Sequence, residues 1–209
     1  MFELHNVKYK DILDIEKMTI PGKKITCLVG QSGAGKTTLL RMLNLMISPD
    51  EGEIYFQEKN LNEEDAISHR RRVVMAPQQP TIFEGTIRDN LNIGLVFSEK
   101  QPKDDRELKE ALRIVSLKKE LDEEAGTLSG GEKQRLSLAR VYLMEPEVFL
   151  LDEPTSALDE ETEHLVMKNF IQSAKQKKQT VVLITHSPQI ADTYCENKII
   201  LKRREEGIV

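Results

Sequence analysis

The stretch Gly30-Gln31-Ser32-Gly33-Ala34-Gly35-Lys36-Thr37 leaves this chain few folds to choose from. It matches G-x4-G-K-[ST], and its flanks matter as much as its glycines. Ile25-Thr26-Cys27-Leu28-Val29 before it is almost continuously apolar, as expected of a strand buried on both faces. Thr38-Leu39-Leu40-Arg41-Met42-Leu43 after it reads as a helix. Strand, glycine turn and helix in that order predict a loop whose backbone N–H groups surround an anion. The helix N-terminus adds partial positive charge, with Thr38 as a first-turn backbone donor. In such a loop Lys36 reaches the β- and γ-phosphates of a nucleotide, and the Thr37 hydroxyl binds Mg²⁺. The alternative is a glycine-rich turn with no ligand.

Two further runs, Val148-Phe149-Leu150-Leu151 and Val181-Val182-Leu183-Ile184, are equally apolar. Short runs of this kind alternating with helical patterns predict an α/β fold with a largely parallel sheet. Residues 2–7 and 53–56 partly alternate, which predicts an antiparallel β element beside it, and residues 199–201 add a last strand. Residues 86–145 are helical in pattern, with Leu108, Ala111, Leu112 and Val115 at helical spacing and an exposed loop expected near residues 98–105. The expectation is one domain, 1–209, carrying a helical insertion at about 86–145.

A net charge of −5 argues against a nucleic-acid surface. The densest basic run, His69-Arg70-Arg71-Arg72, reads as a solvated entrance to a strand. Cys27 reads as a small buried hydrophobe, and Cys195 lies far away in an unlike context. Neither has metal-ligand spacing or belongs to a disulfide framework, so a reducing cytoplasm suits both. The N-terminus lacks the layout of a signal peptide, and no apolar stretch approaches the ~18 residues that span a bilayer. A membrane role would therefore need another polypeptide.

In Leu150-Leu151-Asp152-Glu153-Pro154 the adjacent carboxylates leave a strand on opposite faces and need not share a ligand. Asp152 is placed to hold Mg²⁺ and Glu153 to polarise an attacking water, a task worth typically ~10²–10⁴-fold. The bland alternative is an acidic pair capping a helix. Between these elements lies Leu128-Ser129-Gly130-Gly131-Glu132-Lys133-Gln134-Arg135. Ser129 and Glu132 have the spacing of a capping box, which needs no ligand. A cap does not account for the following glycines, which cost about 1 kcal/mol each in a helix interior.

Taken in order, these motifs resemble the ATPase subunit of ATP-binding cassette (ABC) transporters, over nearly the whole chain. The resemblance implies a P-loop NTPase core with a helical signature subdomain and Mg²⁺-dependent hydrolysis of ATP. It implies a head-to-tail homodimer in which Ser129, Gly130 and Gly131 cap the γ-phosphate held by the other subunit. Glu132 departs from the family's usual Gln. Gln78, with Gln79 adjacent, corresponds to the glutamine that contacts Mg²⁺ or the attacking water. Asp159 corresponds to the loop that crosses the dimer interface, and His186 to the switch histidine at the γ-phosphate. Tyr9 is the candidate for stacking on adenine.

Residues 78–91 lie where family members receive a membrane subunit's cytoplasmic helix, so Ile82 and Phe83 are either docking residues or subdomain core. The partner implied is a separate multi-pass permease, with the ATPase cytoplasmic and peripheral on the inner face of the membrane. A regulatory or mechanical cassette of the cell-division type, which moves no substrate, is the other reading. The chain has neither the coiled coil of DNA-repair relatives nor the second cassette of translation factors. It is also expected to lack the C-terminal regulatory domain of many importers and to be similar to compact ATPases implicated in export of iron or other metals. Substrate and direction belong to the membrane subunit.

Overall fold

The computed structural model describes residues 1–202. In chain order its elements are β1 (Phe2–Tyr9), β2 (Leu13–Ile20), β3 (Ile25–Val29), α1 (Lys36–Leu43), β4 (Glu51–Phe56), β5 (Lys59–Asn60), α2 (Ala66–Arg72), β6 (Val73–Ala76) and α3 (Ile87–Phe97). There follow α4 (Asp105–Ile114), α5 (Gly130–Leu143), β7 (Val148–Asp152), α6 (Glu160–Gln176), β8 (Thr180–Ile184), α7 (Pro188–Tyr194) and β9 (Asn197–Ile200). The apolar runs become neighbours in a parallel sheet ordered β6-β7-β8-β3-β9. An antiparallel sheet ordered β2-β1-β4-β5 lies beside it.

Strand alternation divides the interior in two. Ile25, Cys27, Val74, Ala76, Phe149, Leu151, Val181 and Leu183 face a core shared with α3 to α7. Their neighbours Leu28, Val73, Val148, Leu150, Val182 and Ile184 face a second core with α1 and the antiparallel sheet. Burial on both faces is the reason these strands read as unbroken apolar runs. Phe149 and Phe170 meet edge to face at 5.0 Å in the first core. Truncating either would cost about 3–5 kcal/mol.

Helices α3, α4 and α5 each begin with a capping box, at Thr86/Asp89, Asp104/Glu107 and Ser129/Glu132. Each box pairs backbone N–H groups that a helix start would otherwise leave without partners. Leu108, Ala111, Leu112 and Val115 are all buried, as their spacing predicts.

The basic run does lead into a strand, β6, but it is itself helical and not wholly solvated. It is the last turn of α2, seven residues long and too short to show an apolar period. His69 is fully buried there, with Nε2 2.8 Å from the Leu43 carbonyl and its ring edge-on to Phe56. Arg72 pairs with Glu147 at 2.6 Å and Arg71 with Glu99 at 2.7 Å. The cysteines also differ from expectation. Cys27 and Cys195, 168 residues apart, form a disulfide with their Cα atoms 5.7 Å apart. Parallel pairing of β3 with β9 brings the end of α7 back against β3, a proximity that sequence distance hides.

Candidate functional site

A parallel sheet delivers the carboxyl ends of its strands to one edge, where α/β folds bind ligands. Along that edge β6 ends before Gln78, β7 in Asp152 with Glu153 next, β8 before His186, and β3 before the glycine loop. Residues scattered from 30 to 186 thus meet in one place.

The glycine loop is built to meet an anion. Gly35 has φ 82°, a left-handed backbone that precedes α1, and a Cβ there would lie 2.5 Å from Leu13 Cδ2. Gly33, at φ 81°, has no atom within 4 Å of where its Cβ would stand. Lys36 is only 7% exposed, and its Nζ donates to the carbonyls of Gly30 at 2.8 Å and Gln31 at 2.9 Å. A buried cation held by neutral carbonyls suits an incoming phosphate. Gln31, Ser32, Ala34 and Thr38 complete the loop and the first turn of α1.

Thr37 Oγ1 donates to Asp152 Oδ1 at 3.1 Å. Burial pushes the Asp152 carboxyl up from its ordinary value, against the hydrogen bond from Thr37. Thr37, Asp152 and Gln78 line one cavity of about 540 Å³ with Gln79, Arg41 and Arg70. Oxygen donors of this kind fit a hard cation such as Mg²⁺.

Glu153 is the most constrained residue of the edge. Its φ of 47° is left-handed, a conformation that costs a non-glycine residue about 1–3 kcal/mol. The backbone is held by N–H donation to the Ile184 carbonyl at 3.0 Å and by Gln134 Nε2 donating to its own carbonyl at 3.1 Å. The carboxylate receives Gln78 Nε2 on Oε2 at 2.8 Å and faces His186 Nε2 from Oε1 at 2.9 Å. Gln78, and not its neighbour Gln79, is the glutamine with this bond. His186 remains 60% exposed by side chain while Glu153 is 18% exposed.

Other expected residues lie apart from this cluster. Ser129, Gly130 and Gly131 do not line the cavity; Ser129 and Gly130 are exposed at the start of α5. The capping box accounts for Ser129 and Glu132, through bonds of 2.9 and 3.4 Å. Gly131 has its own packing reason, since a Cβ there would stand 3.1 Å from the Ala157 carbonyl oxygen. Gly130 has open space instead. Asp159 caps α6, its side chain accepting from the Thr162 N–H at 2.9 Å. Tyr9 ends β1 with the Lys10 ammonium 5.2 Å from its ring centroid, and the turn after it reaches Gly35 through Ile12 and Leu13.

Sequence reasoning missed one network. Arg140, 8% exposed, donates to Asn90 O at 2.6 Å, Asn90 Oδ1 at 2.8 Å and Thr81 O at 2.8 Å. Asn90 in turn bonds both backbone groups of Phe83 at 2.9 Å. Desolvation lowers the Arg140 pKa to about 10, which leaves it charged at neutral pH. The network pins residues 81–86 onto α3 and α5. Ile82 is half-buried against the core, while Phe83 stacks over Arg140 at 5.0 Å and lines a groove with Phe97, Ile93 and Met144. The only sequence signals were an Asn and an Arg on otherwise apolar helix faces.

Among the described residues, no helix is long and apolar enough to cross a membrane. The family model described as "ABC transporter" matches residues 13–156. The probable amino-acid import ATP-binding protein YxeO of Bacillus subtilis is 32% identical over 213 residues, covering 96% of this chain and 85% of that protein. The ABC-type transporter fsqE of Aspergillus fumigatus is 36% identical over 197 residues and 88% of this chain, which spans only 15% of that transporter's length. The dimeric post-hydrolysis structure of the ATP-binding cassette MJ0796, bound to ADP and Pi, superposes with a TM-score of 0.86 at 27% identity. That match covers 98% of this chain and 95% of the other. With a match running from β2 through the acidic end of β7, and with the glycine loop and Glu153 cluster at one sheet edge, the chain belongs to the ABC transporter family, whose members hydrolyse ATP.

Proposed function

We propose that this chain is an ATPase subunit that hydrolyses ATP to ADP and phosphate as a head-to-tail homodimer and energises a separate membrane permease. The observation that carries the reading is the convergence of Gln78 and His186 on the Glu153 carboxylate, beside the Thr37–Asp152 pair. Residues 1–209 act as one domain, with the helical subdomain near 86–145; residues 203–209 lie outside the described residues.

The backbone of residues 30–38 and the Lys36 ammonium bind the phosphates, and Tyr9 stacks on the adenine. Thr37, Asp152 and Gln78 would hold Mg²⁺, which when bound neutralises phosphate charge. Glu153 accepts a proton from the attacking water, and Gln78 and His186 hold its carboxylate in place. His186 is exposed enough to bond the γ-phosphate as well. Ser129, Gly130 and Gly131 reach the nucleotide of the other subunit, and Asp159 lies at the subunit boundary. The open space at Gly130 and the exposed N-terminus of α5 support that assignment.

The groove lined by Phe83, Phe97, Ile93 and Met144 is where a permease helix would dock, placing the ATPase on the inner face of the membrane. Phe97 is 64% exposed, which fits an apolar surface awaiting a partner. Co-expression with the product of a neighbouring gene tests the reading. A multi-pass membrane protein that co-purifies and alters the ATPase rate supports it. An active ATPase that binds no such protein turns the reading toward a regulatory cassette. In a nucleotide-binding assay Lys36→Ala should remove most ATP binding, and undiminished affinity would remove the glycine loop from the account.

A further inference from the structure

Gln134 joins the signature turn to the segment that follows β7. The residue is 4% exposed. Its Nε2 donates to the Glu153 carbonyl and to Ser156 Oγ, both at 3.1 Å, and its Oε1 accepts from the Ala157 N–H at 2.9 Å. Every polar atom of the amide is therefore spent on residues 153–157. Gln134 lies three residues beyond Gly131, on the same face of α5. Gly131 is the position whose Cβ would crowd the Ala157 carbonyl. One face of the signature helix thus presses a glycine and an amide onto the loop that carries Glu153.

That loop needs a clamp, because Glu153 holds a left-handed backbone. The strand side fixes its N–H through Ile184, and Gln134 fixes its carbonyl. Backbone orientation decides where the carboxylate aims, and Gln78 and His186 meet it there. No isosteric side chain reproduces the clamp. Methionine has neither donor nor acceptor of this kind, and glutamate can accept from Ala157 but donates nothing to the Glu153 carbonyl.

We propose that Gln134 is a positioning residue for ATP hydrolysis, one that aims the Glu153 carboxylate and ties its aim to the helix opened by Ser129-Gly130-Gly131. The inference rests on the ATPase reading above. On the dimer reading above, that helix start meets the other subunit's nucleotide, and Gln134 then links the two sites.

The test compares wild type, Gln134→Met and Gln134→Glu for kcat, KM, ATP affinity and Tm, each also in a Glu153→Gln background. Both single variants should lose about 10²-fold in kcat, the penalty of a misaimed catalytic group, with ATP affinity within about twofold of wild type. In the Glu153→Gln background the same changes should cost almost nothing further, because the carboxylate they aim is already gone. A merely structural residue would lower Tm and rate together and would add its full loss to that of Glu153→Gln. Wild-type kcat in Gln134→Glu, or full additivity in the double variants, overturns the inference and leaves the ATPase reading standing. A wild-type chain that binds but never hydrolyses ATP overturns both.

Discussion

His186 Nε2 and Glu153 Oε1 stand 2.9 Å apart at the ends of neighbouring parallel strands. The histidine is exposed and the glutamate largely buried, so the pair joins a fixed group to one free to follow a ligand. Glu153→Gln keeps the shape and removes the base. It should retain ATP binding, slow hydrolysis by about 10²–10⁴-fold and accumulate an ATP-bound dimer. Single-turnover rates with light scattering check both expectations, and near-normal turnover would assign the base elsewhere.

Among the described residues Arg140 has no carboxylate partner, and it depends on Asn90 for two of its bonds. Asn90→Ala removes the side-chain acceptor for Arg140 and the amide bonds to Phe83 and to the Thr86 carbonyl. The loss should be about 1.5–3 kcal/mol, the usual worth of a buried hydrogen bond to a charged group. Urea unfolding measures it. A change below ~1 kcal/mol would mean that water replaces the amide.

The Cys27–Cys195 disulfide closes a loop between residues 168 positions apart. Such a link stabilises mostly by restricting the unfolded state, typically by about 2–4 kcal/mol. Reduction by dithiothreitol should lower the Tm of wild type and leave Cys195→Ser unmoved. Equal response in both proteins, or alkylation of both thiols in the unreduced, denatured chain, would show that the bond does not form in solution.

His69 supplies a pH dependence of stability. Only a protonated Nε2 can bond the Leu43 carbonyl, and among the described residues Nδ1 has no partner, so the buried ring is neutral. Burial lowers its pKa; the Leu43 bond and Glu64 oppose this, while Arg72 and Arg70 reinforce it. The unfolded chain titrates near pH ~6.5, above the folded value. Between the two values the unfolded state binds the extra proton, so stability is full above about pH 6.5 and falls as pH drops through the folded pKa. The urea midpoint of wild type should fall more steeply toward pH 5 than that of His69→Gln. Parallel curves would place the titration on another group.

Much of the architecture was legible from local pattern. The strands at 25–29, 148–152 and 180–184 announced themselves because burial on both faces demands unbroken apolar sequence. Helix α4 did so because its core stripe repeats at 3.6 residues. Helix α2 was not anticipated because its seven residues, five of them polar or basic, are too few to carry a period, and the histidine that anchors it is buried against the end of another helix.

By itself, the sequence determined the anion loop, the acidic strand end, the capped signature helix and the residues expected at each. These are local features, readable because glycine conformations, caps and strand ends depend on residues close together in the chain. Only the tertiary structure decided which of them meet. Strand order put Gln78 and His186 on one carboxylate, brought Cys195 to Cys27, and laid Gln134 against the Glu153 peptide. Such contacts join residues 19 to 168 positions apart, and the parallel crossovers that create them leave no mark at either end.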